Sequence, residues 1–166
     1  MSRQIYLITH GQKAKGPNPS LTSLGVQQVR LLKPYLPKQI HTVVCGVGRR
    51  HLKTARELGL EPDRYSGIVG VAESKNYAAD TVILADGTEI PAAKYSAVTD
   101  RAESFTALVN DLPSRSVVIT SRSMVKRLGT TSHPKEAAVY RYKPDAREIK
   151  ELFAASEDIG EGDQEV

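Results

Sequence analysis

The stretch YLITHGQKA, residues 6–14, joins an apolar run to a His-Gly pair. Residues 3–8 have the composition of a buried strand, and the polar segment 11–20, with its Gly and Pro residues, is typical of a loop. His10 is therefore predicted to lie at the carboxyl end of a strand. A His in that position is either a reactive group at the edge of a sheet or an ordinary turn residue.

Length and composition indicate a soluble α/β domain. The chain has 166 residues, 40% of them hydrophobic and 25% charged, which is enough for one core without disulfides. One cysteine and four scattered histidines give no metal-ligand spacing, so we expect no metal, no cofactor and a reducing compartment. We find no signal-peptide pattern and no run of about 18 apolar residues, and we expect a cytoplasmic protein without membrane contact.

The charge is distributed unevenly along the chain. The last ten residues contain five acids and no base, so removing them from the net charge of +4 leaves +9 on residues 1–156. Such a surplus suits anionic ligands, from phosphate esters to nucleic acid. The sequence offers few aromatic side chains for base stacking and no nucleic-acid-binding motif, so a basic nucleic-acid-binding domain ranks low. We expect one domain over 1–154 and a disordered acidic tail over 155–166.

Hydrophobic periodicity predicts an alternation of strands and helices. In the first predicted helix the apolar residues fall on one broad face that we expect to be buried: Leu21, Leu24, Val29, Leu31, Leu32 and Leu36. The predicted elements after the first strand are a helix from Thr22 to about Pro34, a strand over 41–46, a helix over 49–59, a helix from Asp100 to Pro113, a strand over 116–121, a short helix within 121–129, and closing strands over 137–142 and 147–153. Residues 63–99 contain a possible strand at 68–73 and an Asp-Gly turn at 86–87, and we expect a small antiparallel excursion there.

Polar residues follow three of the predicted strands directly. They are His10-Gly11 after the first, the segment 46–50 after the second, and Ser121-Arg122-Ser123 after the late one. In a mostly parallel sheet, ligands bind outside the carboxyl ends of the strands. These side chains are therefore expected to meet around one point, which would be an anion site.

Four segments together carry a family resemblance. IYLITHGQ, SLTSLGVQQ, VVCGVGRRHLKTARELGL and SVVITSRSMVKRL resemble, in order and spacing, the blocks of the histidine phosphatase superfamily, the phosphoglycerate mutase-like proteins. The blocks span most of residues 3–128, and the length is similar to that of small phosphohistidine phosphatases. The resemblance implies a three-layer α/β/α sandwich with a mostly parallel central sheet.

The resemblance also implies roles for single residues. In the family, the His of an Arg-His-Gly motif takes up the phosphoryl group. This His corresponds to His10 and the Gly of the motif to Gly11, whereas the Arg is replaced by Thr9. The phosphate-binding Arg of the second block corresponds to Arg50. We expect Thr9 and Gly11 to contribute to phosphate binding beside Arg50.

The late block departs from the family pattern. Its usual Ser-His-Gly reads Ser121-Arg122-Ser123, so Arg122 is expected either to bind phosphate in place of the missing His or to lie on the surface. The family also places an acidic proton donor between these blocks, and Glu73 is the best-placed candidate, with a solvated loop carboxylate as the alternative.

The sequence leaves two functions open. The first is a phosphomonoester or phosphohistidine hydrolase with weakened or altered activity, which acts through a phosphohistidine at His10. The second is a catalytically inactive relative that binds a phosphorylated small molecule or a phosphoprotein, which the changes at Thr9 and Arg122 favour. Natural substrate and oligomeric state are not indicated by the sequence.

Overall fold

The computed structural model describes residues 3–66, 75–78, 81–84, 86–96, 101–129 and 133–155. The elements in chain order are β1 (Ile5–Thr9), α1 (Ser23–Arg30), β2 (Val43–Cys45), α2 (Arg49–Glu57), β3 (Arg64–Ser66), β4 (Lys75–Ala78), β5 (Thr81–Ile83), β6 (Glu89–Pro91), β7 (Tyr95–Ser96), α3 (Arg101–Asp111), β8 (Ser116–Thr120), α4 (Arg122–Lys126), β9 (Ala138–Lys143) and β10 (Glu148–Ala154). Short 3₁₀ turns lie at Lys33–Tyr35 and Ala92–Lys94.

The main sheet of the described chain has seven strands in the order β10-β9-β1-β8-β2-β3-β7. Five neighbouring strands of this sheet run parallel to one another, namely β1, β8, β2, β3 and β7. Strand β9 runs antiparallel to both β1 and β10. Every residue of β8 is buried, as predicted for a strand in the middle of a sheet that is covered on both faces. The mostly parallel central sheet is confirmed.

Side chains alternate between the two faces of the sheet and build two separate cores. Val117 and Ile119 of β8 pack with residues of α1 and α2, whereas Val118 between them packs with residues of α3 and α4. The period of two along the strand therefore places helices on opposite sides. This arrangement confirms the three-layer α/β/α sandwich.

Helix α1 begins where the sequence predicted it and buries most of its predicted apolar face, with two leucines exposed. The Oγ1 atom of Thr22 accepts a hydrogen bond of 3.0 Å from the backbone N–H of Gly25, which caps the helix. Leu24 and Leu31, both expected to be in the core, are 47% and 56% exposed. Leu24 and Leu31 are seven residues apart and so lie on the same side of the helix, whereas Leu21, Val29 and Leu32 are fully buried. The buried face is therefore narrower than the predicted one.

Helix α1 and the exit of β1 are in direct backbone contact. A Cβ atom on Gly11 would lie 2.3 Å from the carbonyl oxygen of Gly25, and one on Gly25 would lie 2.2 Å from the carbonyl oxygen of Gln12. Real Cβ atoms do not approach backbone this closely, so both positions require glycine. This contact fixes the start of α1 against the His-Gly pair that follows β1.

A small antiparallel sheet interrupts the α/β alternation, as expected for residues 63–99. Strands β4, β5 and β6 pair in that order, and Asp86-Gly87 forms the turn between β5 and β6, where the N–H of Leu84 bonds to Thr88. The predicted strand at 68–73, the predicted first residue of the helix at Asp100 and the tail after 155 lie outside the described residues. No helix in the described part of the chain is long and apolar enough to cross a membrane.

Candidate active site

A cavity of about 350 Å³ opens at the carboxyl edge of the sheet, next to β1 and β8. Its lining residues are His10, Lys13, Arg50, Ser121, Arg122, Ser123, Lys126, His133, Pro134 and Glu136. The structure thus brings together the three strand-end groups that the sequence singled out. It places Arg122 in the cavity wall instead of on the outer surface.

His10 follows the last residue of β1 and is 5% exposed. Its Nδ1 atom lies 2.8 Å from the carbonyl oxygen of Gly11, which can only accept, so Nδ1 carries a proton and Nε2 has a free lone pair. Burial is the main cause that lowers the pKa of His10 to about 3; the Gly11 carbonyl opposes this shift, and the cations of Arg50, Lys13 and Arg122 add to it. His10 is therefore a neutral imidazole at physiological pH.

Arg50 lies in the first turn of α2, directly after the strand end at β2. Burial lowers the pKa of Arg50, and the carboxylate of Glu136 opposes that shift. Its Nε atom is buried and has no hydrogen-bond partner among the described residues. The Oγ1 atom of Thr54 donates a 2.7 Å hydrogen bond to the Arg50 carbonyl and holds this turn of the helix. An unpartnered, buried guanidinium N–H in a cavity wall suits an anionic ligand.

The cavity wall carries more positive than negative charge. Its lining residues include four cationic side chains and one carboxylate. The cations are Lys13, Arg50, Arg122 and Lys126, and the carboxylate is Glu136. Low-dielectric walls of one predominant sign concentrate counter-ions, so this cavity selects for anions.

Glu136 is a site residue that the sequence analysis missed. It is 3% exposed, and its Oε2 atom lies 3.9 Å from Nδ1 of His10. The next residue, Ala137, has a left-handed backbone with φ of 49° and donates a 2.8 Å hydrogen bond from its N–H to the His10 carbonyl. Because β9 runs antiparallel to β1, the segment before β9 reaches the same edge as the ends of the parallel strands. That antiparallel orientation is the signal that could have revealed Glu136.

Two histidines that sequence reasoning set aside also belong to the site. His51 is fully buried, its ring meets that of His10 edge-on at 5.4 Å, and its Nε2 atom lies 2.8 Å from Oγ of Ser121. His133 lines the cavity. The signal for His51 was its place beside Arg50 in the first turn of α2.

Two predicted site residues, Thr9 and Gly11, do not line the cavity, and a third lies outside the described residues. Thr9 has no exposed surface, and its Oγ1 atom donates to the Lys135 carbonyl at 2.7 Å and accepts from the Ala138 N–H at 3.0 Å. This corrects the expectation that Thr9 contacts phosphate, because its hydroxyl joins β1 to β9. Gly11 is buried against α1 and is not among the lining residues. Glu73 lies outside the described residues.

Comparisons with known proteins identify the fold. No protein-family model matches the chain, and no curated protein matches it. Among solved structures, a phosphoglycerate mutase from Thermus thermophilus has a TM-score of 0.59 at 18% identity, over 93% of this chain and 99% of that one. The Rv3214 protein of Mycobacterium tuberculosis has a TM-score of 0.57 at 20% identity, over 93% and 98%.

A third solved structure agrees with these two. The TTHB049 protein of Thermus thermophilus has a TM-score of 0.58 at 18% identity, over 84% of this chain and 92% of that one. Similarity at this level of identity shows the fold. The three-layer α/β/α fold that the four sequence blocks implied is confirmed: the chain has a phosphoglycerate mutase-like fold.

Proposed function

We propose that this histidine-phosphatase-fold protein is a phosphomonoester or phosphohistidine hydrolase of weakened or altered activity, with His10 as the phosphoryl acceptor. The observation that carries the proposal is the state of His10. It is a neutral imidazole whose Nδ1 proton is bound to the Gly11 carbonyl, in the wall of a cavity with four cationic side chains. A neutral ring nitrogen beside cations is the arrangement that nucleophilic attack on a phosphate requires.

The chemistry would proceed in two steps. Nε2 of His10 attacks phosphorus, the N–P bond forms as the bond to the leaving oxygen breaks, and an acid protonates that oxygen. Water then cleaves the phosphohistidine and regenerates the neutral ring. We retain Glu73 as the proposed proton donor of the first step.

Positive charge develops on the ring of His10 when Nε2 bonds to phosphorus. The Gly11 carbonyl accepts the Nδ1 proton, and the carboxylate of Glu136 lies 3.9 Å from the same nitrogen. Both groups stabilise a ring that becomes more cationic. Arg50 and Arg122 would stabilise the negative charge on the phosphoryl oxygens. Phosphoryl transfer is accelerated mainly by such electrostatic stabilisation.

The change at Thr9 supports an altered activity. The Arg that the family places there is replaced by a side chain whose hydroxyl bonds to Lys135 and Ala138. Removal of one preorganised donor from an active site costs about 10²- to 10³-fold in rate. Lys13 and Arg122 supply positive charge to the same cavity, which supports our proposal that it binds a phosphorylated small molecule or phosphoprotein.

The test is phosphate release from p-nitrophenyl phosphate, natural phosphate esters and phosphohistidine. We expect slow turnover in the wild type and none in His10→Ala, with an acid-labile phosphoenzyme after rapid quenching of the wild type alone. Arg49→Ala is the matched control, since Arg49 lies on the same helix outside the cavity. Equal turnover in the wild type and His10→Ala would contradict the proposal.

A non-catalytic phosphate-binding protein is the second candidate, and the position of Thr9 favours it. A cavity that retains cations but lacks one transition-state donor binds phosphate without accelerating its transfer. In that case no substrate turns over, whereas inorganic phosphate raises the melting temperature of the wild type and not that of Arg50→Ala.

A further inference from the structure

The side chain of Ser121 has an unusual arrangement for its position. Ser121 is the N-cap residue of α4, where a serine hydroxyl normally accepts a hydrogen bond from the first turn of the helix. Here the side chain makes no capping hydrogen bond. Its Oγ atom lies 2.8 Å from Nε2 of His51 instead, and the residue lines the cavity. The hydroxyl is therefore available for another purpose than helix capping.

The environment of His51 decides which ring nitrogen carries the proton. His51 has no exposed surface, and burial together with the charge of Arg50 lowers its pKa well below the usual value, so the ring is neutral. Its Nδ1 atom is buried and has no hydrogen-bond partner in the described chain. A buried N–H without a partner is rarer in proteins than an unpartnered acceptor. The proton is accordingly on Nε2, which donates to Oγ of Ser121.

A serine hydroxyl has one proton to donate and two lone pairs to accept with. Because Oγ of Ser121 accepts from His51, its own proton is directed elsewhere, and the open side of this residue is the cavity. We propose that Ser121 is a ligand of the phosphoryl group and that His51 is the positioning residue that directs the Ser121 hydroxyl proton into the cavity. This inference rests on the proposed function, since it assigns two further residues to the same site.

The pair adds a type of contact that the cationic side chains do not provide. A fixed hydroxyl donates one short, directional hydrogen bond to a phosphoryl oxygen, and hydrogen bonds to charged groups are the stronger class. His51 lies on α2 and Ser121 is the N-cap residue of α4, and these two helices also supply Arg50, Arg122 and Lys126 to the cavity. The tetrahedral oxygens of a bound phosphoryl group would thereby be held in one orientation.

Binding of inorganic phosphate, measured by calorimetry, tests the proposal without requiring turnover. We expect Ser121→Ala to weaken binding about 10- to 100-fold, the range for a hydrogen bond to a charged group. His51→Leu should weaken it by a similar factor, and the double variant should lose no more than either single one. His51→Gln, whose amide N–H replaces Nε2–H, should recover most of the loss. Ser23→Ala, on the exposed start of α1, is the control.

The protonation of His51 gives a second readout on the unaltered protein. Nitrogen-15 NMR of the histidine rings is expected to show the Nε2–H tautomer for His51 and the Nδ1–H tautomer for His10. An Nδ1–H signal for His51, or additive losses in the double variant, would overturn the proposal. Phosphate binding that depends on Ser121 and His51 without any turnover would contradict the proposed hydrolase and leave this inference intact.

Discussion

The wall of the cavity and the layer of the fold directly behind it use neighbouring residues for opposite purposes. His10, Arg50 and Arg122 form the cavity wall, where their polar groups face a space that a ligand can occupy. Thr9 and Gly11, on either side of His10 in the sequence, form the layer behind the wall, with the hydroxyl of Thr9 bonded to backbone and Gly11 packed on α1. The difference separates residues that bind from residues that hold the fold.

This contrast changes how a substitution within a motif is interpreted. Successive residues at a strand end point to opposite sides, so the residue before His10 and His10 itself occupy different environments. A Thr at position 9 fits the buried layer, since its short side chain reaches the backbone of Lys135 and Ala138. Thr9, at the position where the resemblance implies an Arg, therefore contributes no charge to the cavity and connects β1 to the segment around β9 behind the wall.

The largest effect should come from the wall. We expect Arg50→Ala to lower kcat/KM for phosphate esters by about 10²- to 10³-fold, because a preorganised donor to the phosphoryl oxygens is lost. Arg49→Ala, one residue earlier on α2 and outside the cavity, should stay close to the wild type. Steady-state kinetics on both variants measures the difference. Equal losses in the two variants would mean that phosphate is not bound in this cavity.

The next largest effect should come from the tightest contact of the layer behind. Gly11→Ala would place a Cβ atom 2.3 Å from the carbonyl oxygen of Gly25, a backbone atom that cannot rotate away. We expect the free energy of unfolding to fall by about 3 kcal/mol, the upper end of the usual cost of overpacking. Urea denaturation measures this. An unchanged unfolding free energy would show that β1 and α1 are not in backbone contact.

Local periodicity explains which parts of the molecule the sequence could predict. The continuous apolar run of β8 and the capped start of α1 at Thr22 are encoded by short stretches, and both were predicted. The rule that ligands bind at the carboxyl ends of parallel strands brought His10, Arg50 and Arg122 together before their positions were known. Each strand and helix here is recognisable from its own residues, and one general rule for parallel sheets relates the strand ends to one another.

The missed residues depend on contacts between distant segments. Glu136 reaches His10 because β9 runs antiparallel to β1. The side chain of Thr9 is held by hydrogen bonds to Lys135 and Ala138, which are far away in the sequence. Leu24 and Leu31 were assigned to the core with the other apolar residues of this helix, but both lie outside its buried face. Neither strand orientation nor the width of a buried helix face is determined by hydrophobic periodicity alone.

A smaller effect is expected at Thr9. Thr9→Val keeps the shape of the side chain but leaves the Ala138 N–H and the Lys135 carbonyl without their 3.0 Å and 2.7 Å partners. We expect the free energy of unfolding to fall by about 1–2 kcal/mol, the cost of unsatisfied buried groups, with kcat/KM unchanged. Thr9→Ser, which keeps the hydroxyl, is the matched control. Lost activity with unchanged stability would place Thr9 in the cavity wall.

The smallest expected effect is the change in unfolding free energy per pH unit that the two neutral histidines, His10 and His51, cause. Folding holds the pKa of His10 at about 3, against an ordinary value near 6.5, and burial also lowers the pKa of His51. At a pH between the folded-state and unfolded-state pKa values, a histidine is protonated in the unfolded chain and neutral in the folded chain. The free energy of unfolding therefore falls as pH falls below about 6.5. Each histidine contributes a slope of up to about 1.4 kcal/mol per pH unit.

Urea denaturation at pH 8, 6.5 and 5 tests this, because His10→Asn and His51→Gln each remove one titrating group and should each reduce the slope below pH 6.5. At pH 8 the ring is neutral in both the folded and the unfolded chain, so the contribution of titration vanishes there. A slope that His10→Asn does not change would mean that His10 takes up its proton in the folded state. The imidazole would then be a cation at mildly acidic pH, and the lone pair that attack on phosphorus requires would be absent there.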